Sequence, residues 1–339
     1  MAAAGGNIVW FTYTGAEGEQ IPDDATHIIF AVRIIPAYLF AGPHHHNIVE
    51  VICLERVEKI GRDAFQGCPN LRQVIMPGVE IVEKDAFNCC AALEDVECGK
   101  LQIIGKRAFA ACRCLRSINL PSIRVVEEHA FAECRALIEV KSGNKLERIE
   151  GGWAFMNCTS LERITIPLKD GLIADDTFEE CERLKHVDLA AGELHETIAA
   201  LHLEEWRNDM NIEIDSINQI LPTTPAGEWA DVGLWQPGEK ARAIRRWIIS
   251  VLGKIIHYQA EHQRILDGGV ASALELALPR DTVLNNVLPF LELPSYTFEV
   301  EFEAMNEEDL FIYDDDDDDE IDENRHKCCC LRKLWPSSR

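Results

Sequence analysis

The chain has 339 residues, is 47% hydrophobic and carries a formal net charge of −25 at pH 7. It is apolar enough to build a sizeable core. Its acidity argues against unaided binding to nucleic acid or anionic lipid, since phosphate binding needs a cationic surface. Fifteen acidic residues and no Lys or Arg lie between Glu299 and Glu323, so most of the excess charge is local.

The N-terminal residues lack the basic and apolar regions of a secretory signal, and Ala2 stands where myristoylation needs glycine. The longest apolar stretches are broken by Arg33 and Lys254 and are too short to span a bilayer. We therefore expect an intracellular, cytoplasmic protein without a membrane span. Residues 1–30 are expected to cap the repeats that follow.

A repeated pattern dominates the region from residue 60 to residue 184. A small residue precedes Phe, Cys follows three positions after the Phe, and Leu follows three positions after the Cys. The Phe and Cys of the six copies are Phe65 and Cys68, Phe87 and Cys90, Phe109 and Cys112, Phe131 and Cys134, Phe155 and Cys158, and Phe178 and Cys181. The phenylalanines step by 22, 22, 22, 24 and 23 residues, and a fixed period of this length predicts a solenoid.

Each copy continues as Leu-x-x-Val-x-apolar, with Val or Ile in the fourth place and often Pro after the sixth, as in Leu71 to Pro77. Alternating apolar residues predict a strand with one buried face, and the proline ends it. In the first four copies a shorter apolar pair precedes the Phe, and its second member lies five residues before the ring: Ile60, Val82, Ile104 and Val126. A degenerate first copy contains Ile35 and Phe40, and an insertion follows it.

These residues resemble the BspA-like subclass of leucine-rich repeats, over about residues 31–190. The resemblance implies an α/β solenoid: a right-handed, curved array of about seven units of roughly 22–25 residues each. It also implies a role in protein recognition and no catalytic chemistry, so we expect neither a cofactor nor a bound metal.

In each predicted strand the third and fifth places face solvent, because the first, fourth and sixth are buried. We call the resulting solvent-facing set the strand face and predict that it binds a protein partner. The alternative is a solvated surface without a dedicated partner. The strand face consists of Glu50, Ile52, Gln73, Ile75, Asp95, Glu97, Ser117, Asn119, Glu139, Lys141, Arg163, Thr165, His186 and Asp188.

Six of the thirteen cysteines occupy the same repeat position. Neighbouring coils lie about 5 Å apart, so disulfides between them are geometrically conceivable. In a chain without an export signal we instead predict free thiols that pack in the core.

The period ends near residue 190, and residues 191–310 are predicted to be mainly helical. We expect a helix over 193–209, a connection over 212–225 and a long amphipathic helix over 240–266. The apolar stripe of that last helix consists of Ile244, Ile248, Val251, Leu252 and Ile255. This region is interpreted as a cap on the last coil or as a separate partner-binding bundle.

Residues 311–339 are predicted to form a disordered tail, first acidic and then basic and cysteine-rich. Cys328, Cys329 and Cys330, flanked by basic and apolar residues, resemble S-acylation sites, so an acyl-anchored peripheral adaptor is an alternative function. No nucleotide-binding, zinc or hydrolase motif occurs in the sequence. An enzyme would require an unrecognised C-terminal domain.

Overall fold

The computed structural model describes residues 8–40, 47–190, 204–229, 235–236 and 238–265. In chain order the strands are β1 (Trp10–Tyr13), β2 (His27–Phe30), β3 (Ile34–Ile35), β4 (Glu50–Cys53), β5 (Lys59–Ile60), β6 (Gln73–Ile75), β7 (Ile81–Val82), β8 (Asp95–Glu97), β9 (Ile103–Ile104), β10 (Ser117–Leu120), β11 (Val125–Val126), β12 (Glu139–Ser142), β13 (Arg148–Ile149), β14 (Arg163–Ile166), β15 (His186–Leu189), β16 (Glu228–Trp229) and β17 (Trp235–Gln236). The helices are α1 (Glu204–Ile220) and α2 (Lys240–Ile265), and a 3-10 turn, Leu221–Thr223, follows α1.

The region up to residue 190 is a parallel β-solenoid, which confirms the predicted leucine-rich-repeat architecture. Each regular coil contributes one strand of three or four residues and one of two residues, joined by the turn that carries Phe and Cys. The short strands form one sheet, β13-β11-β9-β7-β5-β3. The longer strands form two sheets in sequence, β1-β2-β4-β6-β8 and β10-β12-β14-β15. Among the described residues, helices occur only after the array.

The strand ladder starts inside the segment that we expected to be a cap. Strand β2 pairs in parallel with β4, and β1 pairs with β2. Ala25, Ile28 and Phe30 are buried and occupy the first, fourth and sixth places of the strand pattern. The segment is therefore built like a further coil, because its apolar spacing matches that of the repeats.

A column of stacked phenylalanines forms the centre of the array. From Phe65 to Phe178, successive ring centroids are 5.0 to 5.6 Å apart and the rings lie within 12° of parallel. All six side chains are at most 2% exposed. Phe40 continues the stack at 5.1 Å from Phe65, as the degenerate first copy predicts. Each ring is thus buried mainly by its equivalents in adjacent coils, so no coil completes its core alone.

The repeat cysteines connect the coils through hydrogen bonds. The thiols of Cys90, Cys112, Cys134, Cys158 and Cys181 each donate to the carbonyl of the preceding coil's Phe, with Sγ···O distances of 3.0 to 3.3 Å. That carbonyl also accepts the backbone N–H of the Cys in its own coil. The thiol therefore donates to the second lone pair of the Phe carbonyl oxygen in a buried turn. This packing role agrees with the prediction of free thiols.

The turn around each Phe contains left-handed backbone at non-glycine residues. Two positions before the Phe, Asp85, Arg107 and His129 have φ of 56 to 58°. Such a conformation costs roughly 1–2 kcal/mol for a non-glycine residue. Hydrogen bonds between coils offset this cost, for example from the Arg107 N–H to the Glu128 carbonyl at 3.1 Å. The turn is thus a property of the stacked array and not of the isolated segment.

Helix α1 corrects the predicted boundaries after the array. We expected a connection over 212–225, but α1 continues to Ile220. Met210, Ile217 and Leu221 are fully buried at helical spacing, and this burial holds the segment in a helix. The helix predicted over 240–266 is confirmed as α2, with its whole apolar stripe buried. No helix in the described part of the chain is long and apolar enough to cross a membrane.

The two helices pack antiparallel and close the last coil. The Trp247 indole donates to the Glu213 carbonyl at 2.9 Å, and Lys254 pairs with Glu213 at 3.0 Å. The Asn218 amide oxygen accepts the backbone N–H of Val187 in strand β15 at 2.9 Å. Side chains of α1 therefore satisfy backbone groups of the terminal strand, which would otherwise be an open edge.

Two buried ionisable side chains join the array to the helical region. The Lys240 ammonium, only 2% exposed, donates to the carbonyls of Leu184 and Leu221 at 2.6 and 3.0 Å. The Glu179 carboxylate, also 2% exposed, accepts the backbone N–H of Gly238 at 3.0 Å. Burial raises the pKa of Glu179 to about 7 and lowers that of Lys240.

The Phe109→Ala variant should lose about 3–5 kcal/mol of unfolding free energy, because a mid-column ring is removed and its neighbours cannot collapse into the space. Urea denaturation followed by circular dichroism measures the loss. The exposed control Asn119→Ala should change stability by less than about 0.5 kcal/mol. Equal stability of the two variants would contradict the role of the column.

Alkylation of the folded chain at pH 8 should modify the exposed Cys114 well before the column cysteines. Burial raises the pKa values of Cys68 and Cys134 to about 12, so they should react on the order of a thousandfold more slowly. Peptide mass spectrometry after iodoacetamide treatment measures the order. In urea the difference should disappear, and rapid labelling of Cys134 in the folded chain would refute the prediction.

The Glu179→Gln variant should unfold with a higher free energy than the wild type at pH 8 and with a nearly equal one at pH 4. The folded-state pKa of about 7 lies above the ordinary value of 4.5. The folded chain therefore holds a proton that the unfolded chain releases, and the wild type loses stability as pH rises from about 4.5 to 7. Urea denaturation across this range tests the prediction. The exposed control Glu182→Gln should keep the wild-type slope, and an unchanged slope in Glu179→Gln would contradict the assignment.

Candidate functional site

The fourteen residues of the strand face lie on seven strands, β4, β6, β8, β10, β12, β14 and β15, and none of them is buried. Parallel pairing aligns them in two rows. Glu50 pairs with Gln73 and Gln73 with Asp95, and the next row runs through Ile52, Ile75 and Glu97. On the other sheet, the rows run Ser117, Glu139, Arg163, His186 and Asn119, Lys141, Thr165, Asp188. The alternation expected from the sequence thus brings these side chains onto one side of the solenoid.

Strands β1 and β2 extend the same rows with residues that our sequence prediction missed. His27 aligns with Glu50 and Ile29 with Ile52, while Trp10 aligns with His27. The Trp10 ring is 51% exposed and lies 4.6 Å from the His27 ring. The available signal was the pattern of Ala25, Ile28 and Phe30 described above, which places His27 and Ile29 at solvent-facing positions.

The C-terminal half of the strand face is internally neutralised. The Lys141 ammonium lies 2.9 Å from Glu139, and the Arg163 guanidinium lies 2.6 Å from Asp188. Both pairs join members of the face to each other. The carboxylates of β12 and β15 therefore carry their own counterions.

The N-terminal half has an uncompensated negative charge. Strands β4, β6, β8 and β10 contribute Glu50, Asp95 and Glu97 to the face and no Lys or Arg. Glu50 lies 3.4 Å from the His27 ring, and Asp95 accepts a hydrogen bond from the neutral amide of Gln73 at 3.3 Å. The formal charge of the face is thus −3 from β4 to β10 and zero from β12 to β15.

The two sheets of longer strands meet between β8 and β10, where the described chain has no strand ladder. Cys98 takes the sixth place of the β8 pattern and stays half-exposed, whereas the equivalent Met76 and Leu120 are fully buried. Gly99 stands where Pro77 and Pro121 follow the neighbouring strands. The weaker apolar anchoring coincides with the interruption.

A groove of about 450 Å³ lies at this interruption. It is lined by Ile75, Pro77, Asp95, Val96, Glu97, Cys98, Gly99, Ser117 and Asn119. Five of these residues belong to the strand face. The groove therefore brings together apolar, carboxylate and neutral polar side chains from three adjacent coils.

The other sequence-based candidates lie outside the described residues. These are Cys328, Cys329 and Cys330, together with the acidic segment before them. Within the described residues no three His, Cys, Asp or Glu side chains are arranged to hold a metal ion.

Comparison with protein families and known structures gives the following matches. The family model of the BspA-type leucine-rich repeat region matches six copies over residues 33–150 and 102–200. A leucine-rich repeat protein of T. pallidum is 27% identical over 46% of this chain and 73% of its own, with a TM-score of 0.39. A leucine-rich repeat protein from Bacteroides ovatus is 21% identical over 51% of this chain and 47% of its own, with a TM-score of 0.38.

The pneumococcal vaccine antigen PcpA is 15% identical over 55% of this chain and 56% of its own, with a TM-score of 0.36. This chain therefore spans about half the length of the Bacteroides and pneumococcal structures. No curated protein sequence matches the chain.

Proposed function

Through residues 33–200 the chain belongs to the BspA-type leucine-rich repeat family, and on this basis we propose that it is a non-catalytic scaffold that binds a protein partner on its strand face. The observation that carries the proposal is the alignment of fourteen unburied side chains in two rows. Seven strands at about 4.8 Å give a surface on the order of 30 Å long. A surface of that length can supply roughly 800 Å² to a complex, the usual share of one partner.

The strand face also suits binding because its backbone is held rigidly. Every strand from β2 to β8 and from β10 to β15 pairs with its neighbour, and the buried side of each strand packs on the apolar core. The face side chains therefore lose little backbone freedom when a partner binds. Such preorganisation lowers the entropic cost of association.

The cysteines support a reducing setting for this function. All ten cysteines of the described residues are free, and Cys114 is exposed. Free exposed thiols persist where glutathione and thioredoxin keep them reduced, and extracellular proteins of this cysteine content usually form disulfides. We therefore propose an intracellular compartment for the scaffold.

Photo-crosslinking with the full-length chain tests the strand face. A p-benzoylphenylalanine at Asn119 or at Thr165 should capture the same partner in cells, because both positions lie in one row of the face. The control position is Glu80, which is exposed and precedes strand β7 of the other sheet. Capture at Glu80 that equals capture at both face positions would contradict the proposal.

A further inference from the structure

The groove between β8 and β10 differs from the rest of the strand face in its backbone as well as in its charge. Elsewhere, neighbouring strands are joined by parallel ladders. Across the groove, hydrogen bonds run from side chains to backbone carbonyls: the Cys98 thiol donates to the Asn119 carbonyl at 3.4 Å, and the Ser122 hydroxyl donates to the Gly99 carbonyl at 2.8 Å. Strands β8 and β10 are therefore two sheet edges that face each other, and sheet edges present backbone groups to a ligand.

The charge of the groove is negative and comes from one strand. Asp95 and Glu97 are two residues apart on β8, so their side chains point to the same side, roughly 7 Å apart along the strand. Both are exposed, and none of the nine lining residues is basic. The carboxylates of Glu139 and Asp188, farther along the face, already have a lysine and an arginine as partners. Unneutralised carboxylates on this face are thus concentrated at the groove.

The remaining lining residues define the rest of the ligand chemistry. Ile75 and Pro77 provide an apolar wall on one side, and Ser117 and Asn119 provide neutral donors and acceptors on the other. An aliphatic stem that ends in a cation matches an apolar wall beside two carboxylates, and Lys and Arg side chains have this form. The volume of about 450 Å³ lies in the range of ligand-binding clefts.

We propose that the β8–β10 groove binds a lysine or arginine side chain carried by an extended segment of a protein partner. The ammonium or guanidinium group lies between Asp95 and Glu97, and its aliphatic stem contacts Ile75 and Pro77. The polar groups of Ser117 and Asn119 hydrogen-bond the backbone of the segment. This inference rests on the proposed function of the strand face and specifies the chemistry of the partner. Anionic partners are disfavoured at the groove because two carboxylates repel them.

A peptide selection with the full-length chain tests the groove. A display library of random dodecapeptides should yield binders that share a Lys or Arg. For each synthetic binder, replacing that residue by norleucine keeps the stem and removes the charge, and should weaken binding about tenfold. The Asp95→Asn/Glu97→Gln double variant should weaken the basic peptide about tenfold and leave the norleucine peptide unchanged, since the two changes remove the same interaction.

The matched control is the Glu80→Gln/Glu182→Gln double variant, which removes two exposed carboxylates that lie outside the strand face and should change binding less than twofold. Three results would overturn the groove assignment: no enriched peptides, enriched peptides without a basic residue, or binding that is insensitive to Asp95→Asn/Glu97→Gln. Binding of spermidine or Ca²⁺ at the groove that basic peptides do not displace would also overturn it, in favour of a small-cation site.

The same peptides separate failure of the groove from failure of the strand face. Binders are tested for photo-crosslinking to the chain that carries p-benzoylphenylalanine at Asn119, which lines the groove, or at Thr165, which does not. Crosslinks at Thr165 by peptides that tolerate Asp95→Asn/Glu97→Gln would exclude the groove and retain the strand face as a binding surface. Binders that crosslink at neither position would exclude both.

Discussion

The architecture depends on one repeated contact between coils, in which a Phe ring stacks on its equivalent and a Cys thiol donates to the Phe carbonyl of the preceding coil. The ring contact is apolar and buries surface along the whole axis. The thiol contact is polar and satisfies a carbonyl in a turn that water does not reach. Because both contacts join adjacent coils, one repeat of the sequence corresponds to one step along the axis of the solenoid.

This contact explains why the turns can hold left-handed residues such as Arg107 and His129, which are unfavourable in an isolated segment. It also requires that both ends of the array be closed, since a terminal coil lacks one neighbour. At the N-terminal end β1 and β2 continue the ladder. At the C-terminal end the helices provide the missing partners, including the buried Lys240 that binds the Leu184 carbonyl. The helical region is therefore interpreted as a cap, although it is built from another type of secondary structure.

The sequence was most informative where the same residue type recurs at the same position of successive repeats. Phe, Cys and Leu at fixed spacing predicted the core, and alternation predicted which side chains share the strand face. It was less informative about helix boundaries, strand pairing and ion pairs, because these depend on contacts between distant segments. The extent of α1 follows from burial of Met210 and Ile217 against other elements, and the missing ladder between β8 and β10 does not follow from the alternation of their residues. The pairing of Arg163 with Asp188 spans neighbouring coils, so this ion pair emerges only from the strand register.

A solenoid of near-identical coils has few ways to make one part of its surface different from another, because its core residues are the same in every coil. Here two changes coincide on the same strand. Strand β8 carries two carboxylates without a basic partner on the face, and it also ends one sheet. Charge alone would attract cations weakly, since exposed carboxylates are well hydrated and screened. A groove adds apolar contact and an open strand edge at the same place, so the cation is positioned as well as attracted. In this proposal, specificity within the repetitive array is therefore set by the coil whose strand combines both changes.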